Sequence, residues 1–382
     1  MMQTLASVFS AWGLAYIRQL ASRRFRFPSA SPCGGPVHFI LLVANHFEPM
    51  WNGRSERDAR TAILRWCRDL PGLGIKDTDG HPFKHTYFFP GEQYDPEFLA
   101  PLAEHCAAGF GEVEVHLHHG VDRPDTAENL ERAIREFVGR LVEHRCLSRD
   151  RKTARIGYCF VHGDWALANS ARGKMCGVDG EMAILARTGC YLDCTLPSAP
   201  VESQVAVLNS IYECGRPLSE RAPHRTGTPL GVGRDRITLP ILLQGPLLLD
   251  WSRRISKIPI PRLENGELSR EFPPGIDRFR HWASANVHVQ GRPTWIFIKL
   301  HTHGLIDRHR EVLLGAPMKR FLEEVLRDYG DGNRYQVHFV TAREAANIIF
   351  AAVDGQMGNP GDYRDYRYLP LGAEHTTCSY RE

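Results

Sequence analysis

The chain has 382 residues, with 47 Lys plus Arg against 44 Asp plus Glu and 43% hydrophobic residues. That length supports one large α/β domain or two smaller ones, and the apolar share is enough for a sizeable core. A net charge of +3 builds no global field, so recognition of nucleic acid or an acidic partner by bulk charge is excluded and partners must be argued from local sites.

Ten cysteines are scattered along the chain without a C-x-x-C pair, which argues against a disulfide framework. Cys190 and Cys194 come closest and read as small buried hydrophobes, so a reducing cytoplasm is the expected location. Residues 1–47 contain no Asp or Glu, and Arg18, Arg23, Arg24 and Arg26 cluster after an apolar stretch over 5–17. Positive charge after the apolar run, rather than before it, argues against a cleaved secretory signal. Leu5, Phe9, Trp12, Tyr16 and Leu20 recur at helical spacing in a run too short to span a bilayer. Residues 1–30 are therefore predicted as a basic amphipathic helix, either packed on the body or in peripheral contact with an inner membrane surface through residues 1–26.

From residue 37 onward, apolar or alternating runs trade places with helical stretches, as in βα units around a mostly parallel sheet. The run over 37–43 predicts a buried strand whose tip carries Asn45 and His46. A strand over 85–89 stops at Pro90 and Gly91, and a helix over 95–105 follows. A strand over 112–118 precedes a helix to about 145, with Asp125 and Glu128 as its predicted capping box. Further strands are predicted over 156–162, 191–196, 239–244, 294–301 and 335–340. Helices are predicted over 181–188, 276–285 and 318–327, and one capped by Thr341 and Glu344 follows the last strand. Residues 202–236, rich in polar residues, Gly and Pro, read as a long excursion over the catalytic face. The strand count predicts a single α/β domain over 31–382, built as a closed or nearly closed βα barrel.

Three histidine strings end predicted strands: Asn45-His46-Phe47-Glu48, His116-Leu117-His118-His119 and His301-Thr302-His303. In a βα barrel the strand ends converge on one face, so residues remote in sequence meet there. Residues two apart on a strand point the same way, which pairs His116 with His118 and His301 with His303. Neutral imidazoles suit a divalent ion such as zinc, which activates water or polarises a carbonyl and needs a nearby acid or base. Glu48, Asp164 and the spare histidines are the candidates. The plainer reading of each string is a set of satisfied structural histidines.

The string Val161-His162-Gly163-Asp164-Trp165 also ends a strand, and Gly163 lets the chain turn so that His162, Asp164 and Trp165 face the pocket. Trp165 is a candidate platform for a sugar ring, or equally a core ring. Asp193 either holds a histidine in one tautomer or caps a turn. Gln244 before Gly245-Pro246 either offers an amide to substrate or punctuates a turn. No P-loop, nucleophile elbow or dinucleotide signature is present.

With these strings assembled, the chain resembles the polysaccharide deacetylase-like branch of the glycoside hydrolase/deacetylase barrel superfamily. The resemblance rests on Ala44-Asn-His-Phe-Glu-Pro49, Gly111-Glu-Val-Glu-Val-His-Leu-His-His119, Phe160-Val-His-Gly-Asp-Trp165, Cys194-Thr-Leu-Pro-Ser-Ala-Pro200 and Phe297-Ile-Lys-Leu-His-Thr-His-Gly304. It implies a seven-stranded barrel with an Asp-His-His metal site, an aspartate base and a histidine acid. Carried over, Asn45 or His46 stands where the family has its aspartate pair, His116 and His118 stand at the metal, and His301 or His303 at the acid. The chain departs from the family in having Asn45-His46 for the aspartate pair and Gly at 120, where the second motif's later histidine would fall. No Arg-x-Pro-Tyr motif accompanies Asp164. Asn45 can orient a ligand through its carbonyl oxygen but cannot act as a base.

The expected function is that of a metal-dependent carbohydrate deacetylase-like hydrolase. His46, His116 and His118 are expected to hold the ion, Glu48 or Asp164 to activate water, and His301 or His303 to protonate the leaving group. Asn45, His119, His162, Trp165 and Asp193 are expected to contact an acetylated glycan substrate. Two alternatives stand beside this: a non-catalytic glycan-binding barrel serving exopolysaccharide synthesis, and a metal-independent glycosidase using Glu48 and Asp164.

Overall fold

The computed structural model describes residues 2–21, 25–29, 35–252 and 254–372, with side chains described from residue 12 onward except at 255 and 258. A mostly parallel sheet organises the chain. Its strands are β1 (Val37–His46), β2 (His85–Pro90), β3 (Gly111–Leu117), β4 (Ile156–His162), β5 (Cys190–Asp193), β6 (Ser210–Cys214), β7 (Gly227–Pro229), β8 (Ile241–Gln244), β9 (Trp295–Thr302) and β10 (Tyr335–Val340). They run in the order β9-β1-β2-β3-β4-β5-β8-β6-β7, and β10 pairs with the first half of β1. All these pairings are parallel except β8 with β6 and β6 with β7.

The predicted α/β class and mostly parallel sheet are present, but the sheet does not close. Among the described residues no ladder joins β8 to β9. Antiparallel β6 takes the open edge of β8, and residues 266–268 take that of β9, where His301 donates its backbone N–H to Gly266 at 3.0 Å and accepts from Leu268 at 2.8 Å. With both edges hydrogen-bonded, neither backbone is left to pair with the other.

β1 is buried along its whole length because both of its faces are covered. Its alternation assigns Phe39, Leu41 and Val43 to one apolar cluster and Ile40, Leu42 and Ala44 to another. The first, outer cluster is completed by helices α2 (Glu56–Asp69), α3 (Pro96–His105), α4 (Ala127–Glu143), α5 (Glu181–Thr188), α6 (Ile276–Ser284) and α7 (Ala316–Tyr329). The second, inner cluster contains α8 (Ala342–Val353), a helix with every residue buried, opened by the predicted Thr341/Glu344 capping box. Ala342, Ala345, Ala346, Ala351 and Ala352 keep it thin enough to lie inside a curved sheet.

Several expectations shift by a few residues. α2 was not predicted, since Ser55 caps a helix whose buried face is only Ala59, Ile63 and Trp66. The cap of α4 is Thr126, accepting from Asn129 N–H, while Asp125 engages His119 and Asn129 through its carboxylate. The excursion over 202–236 contains β6 and β7. Cys190 and Cys194 are buried, and every described cysteine is a free thiol.

The N-terminal helix, α1, spans Met2–Ala21. Trp12 and Tyr16 are buried against the body, Tyr16 Oη accepts from Leu249 N–H at 2.8 Å, and Gln19 donates to the Leu208 carbonyl at 2.8 Å. Leu20, expected on the same stripe, instead faces outward with Leu14 and Ile17. The side chains of Leu5 and Phe9, and Arg23 and Arg24 entirely, lie outside the described residues. Among the described residues no helix is long and apolar enough to cross a membrane.

Three buried histidines tie this fold to pH. His38 Nδ1 lies 2.9 Å from His338 Nε2, and His338 Nδ1 lies 2.7 Å from Asp79. Burial pushes the pKa of His38 down to about 3, that of His85 to about 3 and that of His105 to about 4. The unfolded chain binds these protons first, near 6.5, so the stability they contribute is complete above 6.5 and drains away as pH falls toward 3–4. The melting temperature should therefore be lower at pH 5 than at pH 7.5, with proton uptake on unfolding; a melting temperature that does not change over that interval contradicts this account.

Candidate metal centre

The alternation of the strands decides which histidines meet. His46 has the inner parity of Ile40, Leu42 and Ala44, and His116 and His118 continue the parity opposite to the outward Val113, Val115 and Leu117. His303 follows β9 on the side opposite the outward Ile296, Ile298 and Leu300. These rings gather around Glu48. Its Oε1 lies 3.3 Å from His116 Nε2, 3.6 Å from His118 Nε2 and 3.9 Å from His303 Nε2. The rings of His46 and His116 are 4.9 Å apart, those of His46 and His303 4.8 Å, and those of His116 and His118 4.6 Å. Glu48, His116 and His118 form one set of donors within 4.8 Å of each other, and His46, Glu48 and His303 form another.

The nitrogens are already oriented. His116 Nδ1 lies 2.9 Å from the Val161 carbonyl, which can only accept, so Nδ1 carries a proton and Nε2 faces the Glu48 carboxylate, donating to it when the ring is protonated and presenting a lone pair when the ring is neutral. Two lone pairs facing each other at 3.3 Å suit a cation between them. His118 Nδ1 is likewise held by Glu92 Oε1, leaving Nε2 toward Glu48. Burial raises the pKa of Glu48, but the hydrogen bond from His116 and the charges of His303, His116 and His118 outweigh it and hold the carboxyl below its usual range. His46 is pushed well below the ordinary histidine value, first by burial and then by His303, and its Nδ1 is buried without a hydrogen-bond partner. Burial likewise keeps the pKa of His303 low against the pull of Glu48. His118 moves the other way: burial lowers its pKa, but the hydrogen bond and charge of Glu92 raise it further. The side chains of His118 and His303 are 25% and 20% exposed against 0% for His116 and 5% for Glu48, so the group opens to solvent on the His118 and His303 side.

Asp164 and Trp165 sit at this opening. Asp164 Oδ2 is buried without a hydrogen-bond partner, and its charge helps raise the pKa of His118. The Trp165 ring lies 6.2 Å from that of His46 and 6.3 Å from that of His303, on a backbone with φ of 54°. Trp51, which the sequence did not single out, lies 5.2 Å from His303.

The other expected residues are placed elsewhere. Asn45 has the outer parity: its Oδ1 accepts the Gly304 N–H at 2.8 Å and its Nδ2 lies 3.4 Å from His85, so it is buried away from the pocket. His301 shares the inner parity but lies one pleat deeper, beside Lys299, and belongs to neither donor set. Asp193 is buried and, among the described residues, holds no histidine; Thr195 donates to it through Oγ1 at 2.8 Å and its N–H at 3.1 Å. His119 and His162 do not face this opening. His162 has the outer parity of Tyr158 and Phe160, and it meets His119, Cys176 and Glu181 in a separate group. Cys176 and Glu181 were missed because each lies alone in sequence; a glutamate buried at the start of α5 was the one available signal. Gln244 is buried with neither amide atom hydrogen-bonded.

Protein-family models give no match to this chain, and no curated protein matches its sequence.

The placement of Asn45 predicts a structural role. Asn45→Ala leaves the buried Gly304 N–H unpaired and should cost about 1–3 kcal/mol in urea unfolding. A loss of sugar affinity without a loss of stability would return Asn45 to the pocket.

Proposed function

We propose that this protein is a metal-dependent hydrolase acting on acetylated carbohydrate, built on an opened variant of the polysaccharide deacetylase-like barrel. The observation that carries the reading is the convergence of four imidazoles from three strand ends on one buried carboxylate. Glu48, His116 and His118 would hold the ion, because the two imidazoles already have their outer nitrogens fixed by Val161 and Glu92. Glu48 thus moves from candidate base to ligand: a carboxylate whose pKa is held low is a weak proton acceptor but a good donor to a cation. A bound divalent ion supplies acidified water and polarises the acyl carbonyl.

The remaining groups handle the proton. Asp164 orients the attacking water through its free Oδ2. His303, kept neutral by burial, accepts the water proton first and then delivers it to the leaving nitrogen or oxygen. His46, which shares a donor set with Glu48 and His303, remains the candidate for a further ligand to the ion. Trp165 and Trp51 flank His303 as apolar walls for a sugar ring. A cleft of about 1060 Å³, bordered by Glu92, Tyr94, His118, Arg123 and Arg132, offers a polar approach for a glycan chain. Peripheral contact with an anionic membrane surface would use the outward Leu14, Ile17 and Leu20 with neighbouring arginines.

Purified protein should contain a divalent metal and release acetate from acetylated oligosaccharides, with release abolished by chelation and restored by zinc. Asp164→Asn and His303→Ala should retain the metal at the Glu48 group and lower kcat by about 10²–10⁴, whereas His116→Ala should lose that metal. Acetate release that survives both chelation and His116→Ala would rule the mechanism out. Glycan binding without turnover would favour the non-catalytic alternative.

A further inference from the structure

The second group lies on the outer side of the same strand ends. His119 follows β3, His162 ends β4, Cys176 lies on the loop after β4, and Glu181 opens α5. One ligand atom from each lies within 4.8 Å of the other three. Cys176, His162 and Glu181 are fully buried and the His119 side chain is 8% exposed, so this group is more enclosed than the Glu48 group, with His119 alone of the four at the edge of the neighbouring cleft.

Its donors are arranged as metal ligands are. Asp125 Oδ2 lies 3.1 Å from His119 Nδ1, which turns His119 Nε2 inward to within 3.2 Å of Glu181 Oε1. The Val178 N–H donates to Cys176 Sγ at 3.5 Å, a contact that favours thiolate. The Ala168 N–H donates to Glu181 Oε2 at 2.6 Å and fixes the carboxylate. His162, fully buried, has no hydrogen-bond partner at either ring nitrogen, and its Nε2 lies 3.8 Å from Glu181 Oε2. An imidazolium at His119 bridging Asp125 and Glu181, with Cys176 as a thiol, would account for three of the residues; it leaves His162 unexplained.

The backbone is also shaped to hold this point. Gly120, at φ of +69°, lets its loop approach so closely that a Cβ there would lie 2.0 Å from the Cys176 carbonyl oxygen. Gly177, at φ of +94°, is pressed against Pro124 and Asp125, and the Asp125 N–H donates to the Cys176 carbonyl at 2.8 Å. Between the two groups the loop carries Trp165, Ala168, Asn169, Arg172 and Met175 in left-handed conformations, with φ between 48° and 59°. Such backbone persists only where its surroundings hold it.

We infer that His119, His162, Cys176 and Glu181 form a second, closed, tetrahedral site for a divalent transition metal of zinc type, which clamps the 163–180 loop and so positions Asp164 and Trp165 at the first group. One thiolate, one carboxylate and two neutral imidazoles balance a dication, and binding releases the Cys176 thiol proton to solvent. A fully protein-ligated site of this kind is structural rather than catalytic.

Cobalt(II) added to metal-depleted full-length protein tests this directly, because the Glu48 group contains no sulfur and cannot produce a thiolate-to-cobalt charge-transfer absorption. The wild type should show that absorption together with the intense visible bands of tetrahedral cobalt. Cys176→Ser should lose the charge-transfer band and one equivalent of cobalt while keeping the equivalent at the first group. Should the variant fail to fold, X-ray absorption at the zinc edge of the zinc-loaded wild type decides, with one sulfur neighbour expected at about 2.3 Å. Cobalt bound without sulfur, a band that survives Cys176→Ser, or zinc with only nitrogen and oxygen neighbours overturns this site and leaves the hydrolase reading standing. A sulfur-ligated metal in a protein inert toward acetylated glycan does the converse.

Discussion

The two-residue alternation of a β-strand is the constraint on which the functional architecture rests. Along β1 it sends Asn45 outward to Gly304 and His46 inward to the other imidazoles. Where β3 ends, it separates His118 from His119 by one residue and by one whole face, so that neighbours in sequence enter different groups. At the end of β4 the same rule sends His162 outward, and the turn through Gly163 brings Asp164 back toward the Glu48 group. A Cβ at 163 would lie 2.3 Å from the His118 ring, so this turn is open only to glycine. Two clusters of donors thus stand back to back across the same strand ends, joined by the 163–180 loop.

Electrostatics separates the two groups in kind. Around Glu48 the carboxylate is buried but stabilised by the imidazoles facing it, and two of those rings reach the solvent edge. Such an arrangement keeps a donor set intact and leaves room for a reactant. Around Glu181 the charge is enclosed: burial would raise its pKa, yet His162 and His119 bring it down to about 2. An ionised carboxylate in such an enclosure needs positive charge beside it, which either the His119 imidazole, whose pKa burial lowers but Glu181 and Asp125 raise to about 12, or a bound cation can supply.

The sheet that carries both groups stays open for reasons of its own. A closed βα barrel fills its interior with side chains from the strands alone. Here α8 shares the inner buried cluster with Ile40, Leu42, Cys159 and Val161, and the two edges of the sheet are taken by β6 and by residues 266–268. Lys299 spans part of the resulting gap, donating through Nζ to the carbonyls of Cys194 and Leu196. His301 lies beside this ammonium, one pleat below His303, and joins neither donor set.

What the amino-acid order determined by itself was local and periodic. The apolar runs placed β1, β4, β9 and β10, and the Thr341/Glu344 box marked the start of α8. Spacing by two was enough to put His116 and His118 on one side. These features depend only on the pleat and on the capping of adjacent residues, so they can be read without knowing the fold. Tertiary structure decided everything that required distance between chain segments. It made Glu48 the common neighbour of four imidazoles, drew His301 away from the pocket, and turned Asn45 and Asp193 into structural groups. It also united Cys176 and Glu181 with two histidines expected elsewhere. Nothing in the spacing of those residues encodes their meeting; only the interlocking of two glycine-bearing loops over the ends of β3 and β4 brings them within reach.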